Sequence, residues 1–128
     1  MQDENTIGAE VDRFILEEID SVSQLEALLL LWNTRPRRWK LDDLAAALYI
    51  SAEAAKSILD PLERRGLLAS DEAGSYAYRP GGREALVRAV DNAYRRELVR
   101  ISRMIHSKAP ASVLEFARAF RFKKKDRD

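Results

Sequence analysis

Apolar positions recur along this 128-residue chain mainly at steps of three and four residues, the spacing of amphipathic helices. The pattern predicts a short helix over 8–19, with Ile19 on its apolar face. A second helix should begin after Ser21, a favourable N-cap, and its nearly continuous apolar surface indicates a central, buried position. It should end before Pro36, because a residue that precedes proline avoids the helical region. A third helix is predicted over 41–50.

A turn at Ile50 and Ser51 should lead into a fourth helix, since Ser51 is also a good N-cap. Gly66 suits the position just past the end of that helix, because glycine adopts the left-handed conformation at little cost. Inside it, Pro61 removes one helical donor and crowds the preceding turn, at a cost of about 3 kcal/mol. We therefore expect a kink between Ser57 and Pro61.

Two short segments alternate in the manner of strands, "LLAS" and "SYAYR", on either side of "DEAG". Tyr76 and Tyr78 are separated by one residue, so both rings should lie on the same face. The stretch before the third helix, "RPRRWK", is interpreted as a basic connecting loop whose Trp39 is anchored in the core.

The longest predicted helix runs from about Gly82 to Ser107, roughly 39 Å. Glu97 falls within its apolar face and interrupts it. The other apolar residues could pack on the chain's own helices, form a two-fold dimer seam, or do both; they are Val87, Val90, Tyr94, Leu98, Ile101 and Ile105. Pro110 suits the start of a short final helix, and 123–128 form a polar tail.

These elements predict a mainly α fold with a small β-wing: a winged helix-turn-helix followed by a long C-terminal helix and a short final one. We expect one domain over 1–128, with the winged core at about 21–80 and a helical extension at about 81–122. The order of elements, carried by "LAAALYIS", "AAKSIL" and "LERRGLL", resembles the winged helix-turn-helix superfamily, including MarR- and ArsR-like bacterial regulators. That resemblance implies a regulatory, transcription-factor role.

The whole chain also resembles a group of small bacterial proteins through "FILEEIDSVSQLEALLLLW" and "HSKAPASVLEFARAFRFKK". This second resemblance implies a shared architecture and a bacterial cytosolic setting, but no activity. The acidic N-terminus lacks the features of a signal peptide, and the longest apolar run is too short to span a bilayer, so we expect a cytoplasmic protein without a membrane partner.

Charge is distributed unevenly along the chain, although the formal net charge is only +1. Residues 1–40 hold five basic and eight acidic side chains, residues 41–79 hold four and seven, and residues 80–128 hold thirteen and six. The helix-turn-helix is therefore net negative and the C-terminal third net positive. This charge distribution is the reverse of that expected for a simple DNA-binding protein. The predicted wing tip is acidic as well, at Asp71 and Glu72.

Two functional hypotheses remain open at this stage. In the first, the protein binds DNA as a homodimer; in the second, the winged helix is a protein-interaction module that does not bind DNA, and its basic C-terminal region meets an acidic partner. The candidate contacts for either are exposed residues of the fourth helix, the basic connector and the arginine face of the long helix: Glu53, Lys56, Ser57, Arg37, Arg38, Lys40, Arg88, Arg95, Arg96, Arg100 and Arg103.

Catalysis has little support in the sequence. There is no cysteine and only one histidine, and no metal-ligand spacing or phosphate-binding glycine loop occurs. Neighbouring carboxylates such as Asp42 and Asp43 diverge by about 100° on a helix and do not converge on one point. We expect a protein that is not an enzyme and has no cofactor or metal.

Overall fold

The computed structural model describes residues 3–108, which form six helices and three short strands. The predicted final helix and polar tail lie outside the described residues. The helices, numbered in chain order, are α1 (Asp3–Glu18), α2 (Val22–Thr34), α3 (Leu41–Ala47), α4 (Ala52–Arg64), α5 (Glu84–Arg96) and α6 (Leu98–His106).

The helix boundaries follow the predicted caps closely at α2 and α4. The Ser21 hydroxyl accepts a hydrogen bond from the Gln24 backbone N–H at 3.1 Å, and Ser51 accepts from Ala54 at 3.0 Å. Gly66 follows α4 with a φ of 77°, the left-handed conformation predicted for it. Helix α1 begins earlier than predicted, and α3 ends at Ala47 rather than at residue 50.

Pro61 lies inside α4, which continues without interruption to Arg64. The predicted kink stays a prediction. One turn of α4 near the proline is tied to α2, because the buried side chain of Gln24 donates to the Ile58 carbonyl at 2.9 Å. This contact fixes α4 against the centre of the molecule.

The sheet is three-stranded and antiparallel, in the order β1–β3–β2; its strands are β1 (Trp39–Lys40), β2 (Leu68–Ser70) and β3 (Ser75–Tyr78). Strands β2 and β3 confirm the predicted wing, and Tyr76 and Tyr78 are both buried on its inner face. Strand β1 corrects the prediction of a connecting loop. Two residues are too short for a recognisable alternation, and their extended conformation depends on pairing with a distant strand.

The predicted long helix is wrong as a single element, since it is interrupted at Glu97, whose φ of −129° and ψ of 48° are not helical. The helices on either side of the interruption both pack on α1. Helix α6 contacts both α1 and α2, where Ile101 and Ile105 are buried. A straight helix would have kept the charged Glu97 on its apolar face.

Candidate functional site

The outer surface of α4 carries the predicted contact residues Glu53, Lys56 and Ser57, all of them exposed. The Lys56 ammonium is not free, because it forms an ion pair with the Asp60 carboxylate of the same helix at 3.2 Å. That hydrogen bond is the main reason that the pKa of Lys56 is raised. An anion approaching α4 would therefore meet an already paired lysine.

The basic connector becomes the edge of the wing. Trp39 pairs with Tyr76 and Lys40 with Ser75 across the β1–β3 ladder. The Trp39 ring is buried and its indole N–H donates to the Thr34 hydroxyl at 2.9 Å. Since side chains alternate along a strand, burial of Trp39 directs its neighbours outward, and both Arg38 and Lys40 are exposed.

Two arginines of this edge are stacked on tryptophans. The Arg37 guanidinium lies 3.8 Å from the centre of the Trp39 ring, and that of Arg35 lies 3.5 Å from the centre of the Trp32 ring. Arg88 of α5 approaches the same Trp32 ring at 5.6 Å. Such stacking limits the freedom of a long side chain while its N–H donors still reach solvent.

The wing tip is less negative in effect than its sequence predicts. One oxygen of Asp71 accepts from the Ser75 backbone N–H at 2.9 Å, and the other lies 3.3 Å from the Arg38 guanidinium. The backbone hydrogen bond is the main cause of the lowered pKa of Asp71. Asp71 thus closes the turn and is partly neutralised, whereas Glu72 is exposed.

The arginine face predicted for the long helix is only partly available. The Arg95 guanidinium lies 3.1 Å from Asp91, and that of Arg100 lies 3.2 Å from Asp12 and 2.7 Å from Glu97. Among the side chains that the structure describes, those of residues 7–108, the predicted contacts of this face that form no ion pair are Arg88, Arg96 and Arg103.

The candidate dimer seam also needs correction, because its buried members already fill the chain's own core: Val87, Val90, Ile101 and Ile105. Tyr94 is half-buried and donates to Glu26 at 2.9 Å; burial, helped by this bond, raises its pKa to about 12. Only Leu98, 50% exposed, is open to a second copy, and the sequence pattern missed its neighbour Val99, which is 62% exposed.

Sequence reasoning also missed Tyr49, which lies in the turn between α3 and α4 with a φ of 59° and 94% of its surface exposed. Its φ could not be inferred from the helical pattern, which continued through this position. The helical pattern also gave no sign that the side chain of Gln24 is buried and bonded to α4.

Where side chains are described, over residues 7–108, no three His, Cys, Asp or Glu side chains are grouped so as to hold a metal ion. Over the same part of the chain, no helix is long and apolar enough to cross a membrane.

The helix-turn-helix formed by α3 and α4, followed by the β2–β3 wing with β1 at its edge, defines a winged helix-turn-helix protein. No protein-family model matches the chain, and no curated protein matches it.

Solved structures of MarR-type regulators are similar to the chain in fold. MepR of Staphylococcus aureus, a transcription regulator of the multidrug efflux pump MepA, is 16% identical, with 96% of this chain and 91% of that one covered and a TM-score of 0.53. A MarR family protein from Bacillus stearothermophilus is 21% identical, with 96% and 89% covered and a TM-score of 0.50.

A variant of MepR bound to an oligodeoxyribonucleotide is 18% identical, with 96% of this chain and 90% of that one covered and a TM-score of 0.50. At these identities the likeness concerns the fold.

Proposed function

We propose that this protein is a non-enzymatic winged-helix transcription regulator that binds duplex DNA, with Arg37, Arg38 and Lys40 supplying the main phosphate contacts. The observation that carries the proposal is the pairing of β1 with β3, since it joins these three exposed cations to the wing. The similar fold of a regulator bound to an oligodeoxyribonucleotide supports it.

This arrangement answers the difficulty raised by the net charge of the helix-turn-helix. Phosphate contacts supply most of the sequence-independent affinity for DNA, and base contacts supply specificity. In the proposed complex the wing edge neutralises phosphates, while Glu53 of α4 accepts from a cytosine amino group and Ser57 contacts a neighbouring base. Lys56 remains paired with Asp60 or exchanges that partner for DNA.

A salt titration tests the proposal. Binding of a fluorescent random-sequence duplex is measured by anisotropy across a series of NaCl concentrations. Arg37 and Lys40 each neutralise one phosphate, and Arg38 neutralises a third to the extent that it leaves Asp71. Log K should therefore fall with log salt at a slope between roughly −1.8 and −2.7, and Lys40→Ala should make that slope shallower by about 0.9.

Arg103→Ala is the matched control, because Arg103 is also an exposed cation but lies on α6. It should leave both affinity and slope unchanged. If the wild-type protein does not bind the duplex at low salt, the proposal of DNA binding is wrong. If Arg103→Ala makes the slope shallower and Lys40→Ala does not, the wing edge does not supply the phosphate contacts.

We also propose a homodimer whose seam is smaller than the sequence pattern indicated. Leu98 and Val99 begin α6 as exposed apolar residues, directly after Glu97. Glu97 lines a groove of about 450 Å³, and exposed Ile7 of α1 lies on the same groove. A two-fold axis at this place would cover all three apolar side chains with their counterparts.

The alternative is a protein-interaction module that does not bind DNA. One observation favours it: residues 41–55, which form α3, the turn and the start of α4, hold three acidic side chains and no basic one. In this alternative, Arg88, Arg96 and Arg103 meet an acidic partner. Failure of the wild-type protein to bind DNA at low salt would favour this function over the first.

A further inference from the structure

Tyr49 occupies the turn between α3 and α4 in a way that the fold does not require. Its side chain is 94% exposed, so it adds almost no buried surface to the core. Its φ of 59° lies in the left-handed region, which is unfavourable for a residue with a Cβ and suits glycine. A large side chain that is unfavourable for the backbone and unused by the core indicates a role in binding.

The turn holds the backbone of Tyr49 in a defined conformation. The Leu48 backbone N–H donates to Leu44 at 3.1 Å, that of Tyr49 to Ala46 at 3.2 Å and that of Ile50 to Ala45 at 3.0 Å. Three backbone hydrogen bonds over three residues leave little freedom at this turn. The backbone that carries Tyr49 is therefore already ordered and loses little further entropy when the side chain binds.

The position of the turn indicates the ligand. Tyr49 precedes the N-cap Ser51 by two residues, so it lies at the end of α4 that faces the DNA grooves in helix-turn-helix complexes. Residues 41–55 contain no lysine or arginine, and therefore a phosphate contact from this segment needs a neutral donor. The Ser51 hydroxyl is held close to the backbone, where it accepts from the Ala54 N–H, whereas the Tyr49 hydroxyl reaches further from the backbone and is exposed.

We propose that the Tyr49 hydroxyl donates a hydrogen bond to a DNA phosphate beside the N-terminal end of α4. Tyrosine is among the neutral side chains that contact phosphates and set the register of a protein on the duplex. This inference rests on the proposed DNA-binding function. It adds a contact of a different kind, because a neutral donor strengthens binding without neutralising a phosphate.

The experiment compares wild type with Tyr49→Phe and Tyr49→Gly in the full chain, using the same random-sequence duplex and salt series. Phenylalanine removes only the hydroxyl, and glycine removes the side chain while favouring the observed φ. Both variants should bind about 2- to 10-fold more weakly, the effect of one hydrogen bond, with the salt slope unchanged. The Tm of Tyr49→Gly should not fall.

Leu16→Ala, which trims an exposed apolar side chain on α1, is the control and should bind like wild type. Wild-type affinity in Tyr49→Phe would overturn the hydroxyl contact, as would a loss confined to a Tyr49→Gly protein whose Tm has fallen. Failure of the proposed function looks different, because the wild-type protein itself would then not bind the duplex at low salt.

Discussion

Gln24 shows how one polar side chain can join two helices and the segment that precedes one of them. It is 1% exposed, and its amide oxygen accepts from the Asp20 backbone N–H at 2.7 Å just before α2. Its amide nitrogen donates to the Ile58 carbonyl of α4. Both ends of the amide are satisfied, so a buried polar group that would otherwise be costly connects α2 to the helix-turn-helix.

Gln24→Ala should therefore lower the free energy of unfolding by about 1–3 kcal/mol, because it removes both hydrogen bonds and leaves two backbone groups without these partners. Urea denaturation followed by circular dichroism measures the change. Glu17→Ala, an exposed substitution on α1, should change stability by less than about 0.5 kcal/mol. A similarly small change for Gln24→Ala would show that water replaces the amide in this position.

Among the elements, the wing gives the most direct test of how charge is arranged. Asp71→Asn keeps an oxygen that can accept from Ser75 but removes the charge that pairs with Arg38. The turn should stay folded, with little change in Tm. Binding to the random duplex should become tighter and the salt slope steeper by up to about 0.9, since Arg38 is freed for a phosphate.

The matched control for that substitution is Glu17→Gln, which removes one exposed negative charge from α1 and should leave the slope unchanged. Equal tightening by Glu17→Gln and Asp71→Asn would mean that only net charge matters. A wild-type slope of roughly −1.8 that Asp71→Asn leaves unchanged would show that Arg38 makes no phosphate contact.

Elements defined by local chemistry could be predicted from the sequence, and elements defined by distant contacts could not. Ser21, Ser51 and Gly66 act within a few residues of their own position, so the bounds of α2 and α4 followed from them. Strand β1 exists only through β3, whose Tyr76 lies 37 residues beyond its partner Trp39. Helix α6, which follows the break at Glu97, packs against the distant α1 and α2.

The candidate site divides in the same way. Helical periodicity predicted that Glu53, Lys56 and Ser57 are exposed. The Lys56–Asp60 and Arg38–Asp71 ion pairs could not be inferred from that pattern. The second pair changes the functional argument, because it joins the basic connector to the acidic wing tip. The basic connector and the acidic wing tip, which contribute opposite charges and lie far apart in the sequence, are therefore neighbours in the folded chain.

At the scale of the whole molecule, the uneven charge of the sequence is partly cancelled by folding. Arg100 of the basic C-terminal third holds Asp12 of the acidic N-terminal part, and Arg83 holds Glu18. These ion pairs between distant segments therefore occupy cations that, from the net charge of each segment alone, would be counted as available to a partner. The exposed cations at the wing edge gain importance by comparison, and the proposed dimer would double them along one duplex.

Dimerisation is tested by Val99→Glu, because Val99 is the most exposed residue of the proposed seam and its replacement leaves the core intact. Light scattering after size exclusion should give a dimer for wild type and a monomer for the variant, with unchanged helical content. Burial of a carboxylate against its symmetry mate is unfavourable, which is the physical reason for dissociation. Leu16→Glu, at another exposed apolar position on α1, should remain a dimer. A wild-type protein that is monomeric at every concentration would contradict the seam, and a dimer that survives Val99→Glu would place the two-fold axis elsewhere.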